Sequence, residues 1–258
     1  MKDAWQHKLS SMSIKKGAKL HLLQKLIPDL GALRCLEIGA ETGVLADYLC
    51  RTKGGEWHAA CLESRWLGPS RELLGEDVVM LESDSLPWPD ASFDFILLSR
   101  PEHISDDMAV FRECRRILRP EGGLLVLTPA NGRGLPLNML KEKLGLTMDR
   151  YGHNRSGYTL QELQKIMISC GFTPMRHGSY SRLFTEAIEL MVNAAYIHIK
   201  GSEGYNDYRP SNRESLDSEG GMVLLYKAVL PLLRFISAFD LLLSGTPGYV
   251  VYMEGIKE

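Results

Sequence analysis

Three acids in this chain follow short apolar runs: Glu37 in "CLEIGAETG" (35–43), Glu63 in "CLES" (61–64) and Asp84 in "LESDSLPW" (81–88). Carboxylates at successive strand ends can accept hydrogen bonds from ribose hydroxyls and from an adenine amino group. Gly39 and Gly43 let the backbone turn sharply and approach a ligand closely. Two imidazoles, His103 in "EHI" and His153 in "RYGHNRSGY", suit general-base work on a hydroxyl near neutral pH. Around the second histidine, Arg150, Tyr151, Arg155 and Tyr158 can bind an anionic or sugar-like group.

The loop carries a glutamate, Glu41, where many nucleotide loops carry a third glycine. A pyrophosphate there wants bare backbone N–H groups and no anion beside it. A ligand with a positive centre and no phosphate tolerates the carboxylate better. S-adenosylmethionine, with its sulfonium and ammonium, is such a ligand. Glu63 is then placed for the ribose, although nicotinamide-binding folds put an acid at similar spacing. Asp84 would accept from adenine, with Ser85 and Leu86 offering backbone. The five cysteines are scattered, and no His/Cys cluster has zinc-ligand spacing, so no metal is expected.

Strands and helices in alternation must hold these groups. The apolar runs are 34–39, 57–63, 77–82, 93–99 and 122–128. Between them, "GVLADYLCRT" and "DDMAVFRECRRILR" have amphipathic helical spacing. In the second, Met108, Phe111, Cys114 and Leu118 line one side, Ser105 or Asp106 caps the start, and Pro120 with Gly122 and Gly123 ends it. Residues 18–27 form another helix, stopped by Pro28 and Gly31. Such alternation predicts an α/β fold with a parallel, doubly wound sheet, whose ligands sit at the carboxyl ends of the strands. Further on, Thr159 and Glu162 have capping-box spacing, and Gly171 can follow that helix in a left-handed conformation. Residues 172–180 and 249–256 read as the last two strands.

The run "LPWPDASFDFILLSRPEHISDDMAVFRECRRILRPEGGLLVLTP", together with the glycine loop, resembles the class I S-adenosylmethionine-dependent methyltransferases, in particular the small-molecule branch called type 11. The resemblance is strong over 33–130 and continues through "YTLQELQKIMISCGF" (158–172). It implies a seven-stranded Rossmann-like sheet and direct transfer of a methyl group from S-adenosylmethionine, leaving S-adenosylhomocysteine. It also implies that Glu37, Gly39, Ala40, Glu41 and Gly43 frame the methionine end of the cofactor. Glu63 would take the ribose, Asp84 with Ser85 and Leu86 the adenine, and Ser99 would lie alongside. His103 would face the pocket. Glu41 departs from the family pattern, so an altered loop contact is expected.

The family topology brings 129–157 and the insertion 181–248 out on the cofactor face, where both are expected to form a substrate lid. The chain then divides into an N-terminal helical segment (1–31), a catalytic domain (32–180 with 249–258) and the helical insertion. Within the insertion, 201–221 is polar, whereas "MVLLYKAVLPLLRFISAFDLLL" (222–243) is apolar but interrupted by Lys227, Pro231, Arg234 and Asp240. That stretch suits a buried helix pair, a homodimer interface or a membrane-surface helix, and its charges argue against a membrane span. The acceptor expected is a small molecule, a lipid or a lipid-linked glycan, methylated at oxygen. A net charge of -2 does not suggest a phosphate-neutralising surface, a local basic patch aside, and argues against nucleic acid. The N-terminal residues lack the apolar run of a signal peptide, which points to the cytoplasm, with contact to the inner membrane face if 222–243 touches lipid. The rival readings are a nicotinamide-dependent reductase, an RNA methyltransferase on the same fold and a non-catalytic partner subunit.

Overall fold

The computed structural model describes residues 4–82, 85–131, 135–144, 146, 152–200 and 220–258. Its centre is a seven-stranded sheet of order β3-β2-β1-β4-β5-β7-β6. The strands are β1 (Gly31–Ile38), β2 (Gly54–Cys61), β3 (Val78–Met80), β4 (Phe93–Leu98), β5 (Leu118–Pro129), β6 (Phe172–Tyr180) and β7 (Val250–Lys257). β1 to β5 run parallel, and β7 lies antiparallel between β5 and β6. The chain leaves β1 toward β2 on one side and returns on the other as β4. That reversal of direction opens a crevice at the carboxyl ends of β1 and β4.

Side-chain alternation along the strands builds two cores. Leu36, Ile38, Ile96, Leu98, Leu124 and Val126 pack on one face against Phe111, Cys114 and Ile117 of α5 (Asp107–Ile117) and Leu163 and Met167 of α7 (Leu160–Ser169). The intervening Cys35, Phe95, Leu97, Leu125 and Leu127 pack on the other face. They meet Leu23 of α2 (Ile14–Leu26) and Ala46 and Leu49 of α3 (Val44–Lys53). Period-two strands covered on both faces are what a doubly wound sheet requires.

Local signals explain most boundaries. Asp106 caps α5 by accepting from the Ala109 N–H at 2.9 Å. Thr159 and Glu162 form a reciprocal capping box on α7, and Gly171 follows it at φ +77°. One expected boundary is wrong. α5 ends at Ile117, and Leu118 already begins β5, so Pro120, Gly122 and Gly123 lie in the strand. The register of β4 with β5 shifts there, and Glu121 takes φ +62°. A bulge absorbs the residues that look like helix terminators.

The remaining helices are α1 (Trp5–Met12), α4 (Leu67–Leu74), α6 (Pro136–Lys143), α8 (Leu183–Lys200) and α9 (Gly220–Ala238). The link between β6 and β7 is thus helical at both ends. Ile188 of α8 and Leu230 of α9 close over Ile14 of α2. One buried ionic centre fastens these helices together. The fully buried Glu186 of α8 meets Lys15 of α2 at 2.6 Å and Lys141 of α6 at 2.8 Å. The Ser181 hydroxyl donates to the same carboxylate at 2.6 Å. Burial alone would push the Glu186 carboxyl up, but the two ammoniums override it and hold it at about 2.

Candidate active site

Glu37 ends β1 in the crevice with almost no exposure. Its carboxylate accepts the Ala46 N–H of α3 at 3.1 Å and the Ser99 hydroxyl at 3.4 Å. Burial pushes its carboxyl up to about 7, against the opposing pull of Lys19 and of these two hydrogen bonds. The chain then turns at Gly39, whose φ is +90°. A Cβ there would stand 3.0 Å from the Arg100 Cβ and 3.1 Å from its backbone nitrogen, so the glycine lets the β4 end close on the loop. Ala40 is buried behind it, and Gly43 (φ +71°) leads into α3.

The loop glutamate has partners of its own. Glu41 lies 3.4 Å from Arg100 Nη1 and 3.4 Å from Lys16 Nζ. Two side chains of the protein thus answer its charge. Arg100 is itself buried and reaches Glu63 at 3.6 Å. Glu63 also accepts from the Trp66 indole at 3.3 Å and meets Arg65 at 2.6 Å. Glu41, Arg100 and Glu63 therefore form one charged row across the ends of β1, β4 and β2. Lys19 of α2 points into the same space. Burial lowers its pKa, opposed by the fields of Glu41, Glu102 and Glu37. It forms no ion pair or hydrogen bond among the described residues.

The adenine side differs from expectation in one respect. Asp84 lies outside the described residues. The Leu86 N–H is donated to Glu113 of α5 at 2.8 Å, and the Ser85 hydroxyl faces the same carboxylate at 3.5 Å. The backbone expected to meet adenine is committed to α5 instead. Ser99 is buried and bonds the β1 end, donating toward Glu37 and the Ile38 and Gly39 carbonyls.

The two histidines, distant in sequence, come together. His103 sits on the one-turn helix Pro101–His103, and its ring meets that of His153 edge-on, with centroids 4.6 Å apart. Asn154 anchors the second histidine's loop. It donates its N–H to the Glu102 carbonyl at 2.8 Å and its side-chain amide to the His103 carbonyl at 2.7 Å. Arg100 Nη2 lies 2.5 Å from His103 Nε2. Arginine can only donate, so that nitrogen is an acceptor. The neighbouring Glu102 is buried, accepts from Thr128 at 3.2 Å, and has its carboxyl pushed up by burial. Ligand atoms of Glu102, His103 and His153 lie within 4.8 Å of one another, a donor set suited to a divalent cation. The Arg100 guanidinium occupies the approach to His103, so a fixed cation already stands there.

The expected substrate residues separate. Arg150 and Tyr151 lie outside the described residues. Tyr158 is fully buried and donates to Asp107 at 2.7 Å, while Arg155 pairs with the same carboxylate at 2.6 Å and stacks on the Tyr158 ring. Asp107 thus engages both, and Tyr158 has no exposed surface to offer a substrate. The Tyr158 N–H further bonds the Pro129 carbonyl at 3.0 Å, and Gly157 permits that approach, since a Cβ there would fall 2.1 Å from the same oxygen.

Sequence reasoning missed Lys19, Arg100 and Glu102. Lys19 looks like a solvated helix charge until the topology lays α2 beside the crevice. Arg100 and Glu102 were legible in principle, as charged residues directly after a strand whose end faces the ligand side.

Residues 36–126 match the family described as a methyltransferase domain, type 11. A probable S-adenosylmethionine-dependent methyltransferase of Mycobacterium tuberculosis is 30% identical over 162 residues, covering 58% of this chain and 52% of that protein. A fatty-acid O-methyltransferase of Mycolicibacterium smegmatis is 33% identical over 110 residues, covering 41% of this chain and 40% of the relative. The chain thus matches about half or less of the length of these relatives. Among solved structures, Haemonchus contortus phosphoethanolamine N-methyltransferase 2 in complex with S-adenosyl-L-methionine superposes with a TM-score of 0.57 at 18% identity, covering 93% of this chain and 52% of that one. That likeness supports the fold. The domain match, across the strands whose ends carry Glu37, Glu63 and Ser99, makes residues 36–126 a methyltransferase domain of type 11.

Proposed function

We propose that the protein moves the methyl group of S-adenosylmethionine to an oxygen of a small, lipid-like acceptor. The observation that carries the reading is the carboxylate-lined glycine loop. Glu37 and Glu63 end adjacent strands, and Lys19 stands over them without an ion-pair partner among the described residues. A pyrophosphate would meet the buried Glu37, which no cation of the described residues contacts, whereas a sulfonium nucleoside with one ammonium and one carboxylate finds complementary charges in Glu37 and Lys19. In this reading Glu37 orders the loop beside the methionine end and Glu63 takes the ribose hydroxyls. Lys19 takes the cofactor's carboxylate. The bound cofactor supplies an electrophilic methyl group, and the protein supplies alignment and exclusion of water. The acceptor oxygen attacks the methyl carbon as the carbon–sulfur bond breaks, and its proton passes to the His103–His153 pair. An acceptor that is already a carboxylate needs no base.

The lipid-like acceptor draws support from the fatty-acid O-methyltransferase relative and from the exposed apolar insertion beside α2. The cofactor reading is tested by calorimetric titration with S-adenosylmethionine, S-adenosylhomocysteine and, as control, NADH. Micromolar binding of the two sulfur nucleosides, weakened in Glu63→Ala, is expected. Binding of NADH alone, or of none of them, would overturn it. Labelled-methyl transfer to fatty acids, isoprenoid alcohols and lipid-linked sugars then tests the acceptor class.

A further inference from the structure

α9 is apolar on nearly all sides, yet the described residues of the chain cover only one of them. Tyr226, Leu230, Leu233 and Ile236 face inward, packing with Ile14 of α2 and with Ile188 and Val192 of α8. Leu225, Val229, Leu232, Phe235 and Phe239 recur at helical spacing along the outer side. Leu225 is 66% exposed, Leu232 58% and Phe235 65%, and the turn that follows adds Leu241 and Leu242, each 78% exposed. A helix apolar all round belongs in an apolar medium on every side. The polar segment 201–219 has few groups to offer as a cover, its large apolar residues being Tyr205, Tyr208 and Leu216.

The charges on this face indicate what covers it. Lys227 and Arg234 are exposed, and Arg234 leans on the Ser11 carbonyl of α1 at 2.7 Å. The one acid within 220–247, Asp240, is turned inward. It accepts the Arg182, Phe184 and Thr185 N–H groups that open α8. The exposed charge of the segment is therefore entirely basic. A second copy docked by a two-fold axis would oppose these cations with no acid to answer them. An anionic bilayer offers both an apolar interior and negative headgroups. Among the described residues, no helix is long and apolar enough to cross a membrane.

We infer that the outer face of α9, with the Phe239–Leu243 turn, seats the protein in the plane of an anionic lipid surface. The inference is independent of the methyl-transfer reading. If both hold, the surface would present lipid acceptors near α2 and the crevice.

The test is flotation of the full chain with vesicles of phosphatidylcholine alone and of phosphatidylcholine with 30% phosphatidylglycerol. The wild type is expected to float with the anionic vesicles. The double variant Leu232→Asp/Phe235→Asp should lose at least about tenfold in partitioning, the order expected from one unburied aromatic side chain. Lys227→Ala should lose the preference for anionic vesicles, and 0.5 M salt should mimic it. Both variants alter exposed positions, and circular dichroism with cofactor titration reports whether they remain folded. Wild type left in the soluble fraction with both vesicles overturns the inference. So does a wild-type dimer that the double variant dissociates without any vesicle binding, since the face would then join two copies.

Discussion

Glu37 and Glu186 are the same residue type, both almost wholly buried, in opposite electrostatic settings. Glu186 has two lysines and a hydroxyl in direct contact, and its carboxyl is held at about 2. Glu37 has one backbone N–H and one hydroxyl, no cation in contact among the described residues, and a carboxyl raised to about 7. A buried charge satisfied from within the chain is a fastener. One left short of countercharge is stabilised further only by something that enters, which is how a binding site differs from a core.

The comparison can be broken most forcefully at Glu186. Glu186→Gln should cost about 3–5 kcal/mol of stability in urea denaturation, because two ammoniums are left without their anion. The native pKa is depressed, so this stabilisation is present above the ordinary value of 4.5 and is lost as pH falls toward 2. A loss below about 1 kcal/mol would show that the centre is solvated and weak.

Glu37→Gln should behave oppositely. Stability at pH 8 should hold or rise, since a costly buried charge is removed. Affinity for S-adenosylmethionine in calorimetry should fall about ten- to a hundredfold, the range for hydrogen bonds to a charged group. A variant that loses stability and keeps affinity would place Glu37 with Glu186.

The pH dependence sharpens the contrast. A raised carboxyl contributes stability below 4.5 that is lost as pH rises through about 7. A cationic cofactor favours the ionised form, so its affinity should climb across the same window and binding near pH 7 should release a proton. Calorimetry in two buffers of different ionisation enthalpy reads that proton directly. Equal heats would separate Glu37 from the cofactor.

The smallest expected effect is at Lys19. Lys19→Met should weaken cofactor binding about tenfold, as loss of one charge-assisted hydrogen bond would, while leaving the melting temperature unchanged or higher. Unchanged affinity would assign the cofactor's carboxylate elsewhere.

The sheet was legible because each strand declares itself within a few residues. β6 at 172–180 and the β7 run need no distant information beyond period and turn residues. The glycine loop was legible for the same reason. The ionic row was not, because Lys16, Lys19 and Arg100 acquire meaning only when α2 and the end of β4 are laid beside Glu41. Tyr158 and Arg155 misled for a related reason. A cationic and aromatic loop reads as a ligand surface until Asp107, far off in sequence, claims both. The outer face of α9 was visible as an apolar run, but only the packing tells which side is covered.

Lys15, Lys16 and Lys19 leave the first turns of one helix for three destinations: Glu186 of the insertion, Glu41 of the loop, and the crevice. α2 thus brings to the loop and the crevice charges that lie outside the recognisable domain. A fragment trimmed to residues 36–126 would keep the matched domain and forfeit α2 altogether. It would leave Glu41 and Glu37 with less countercharge, so the boundary of a stable fragment is set by electrostatics as well as by homology.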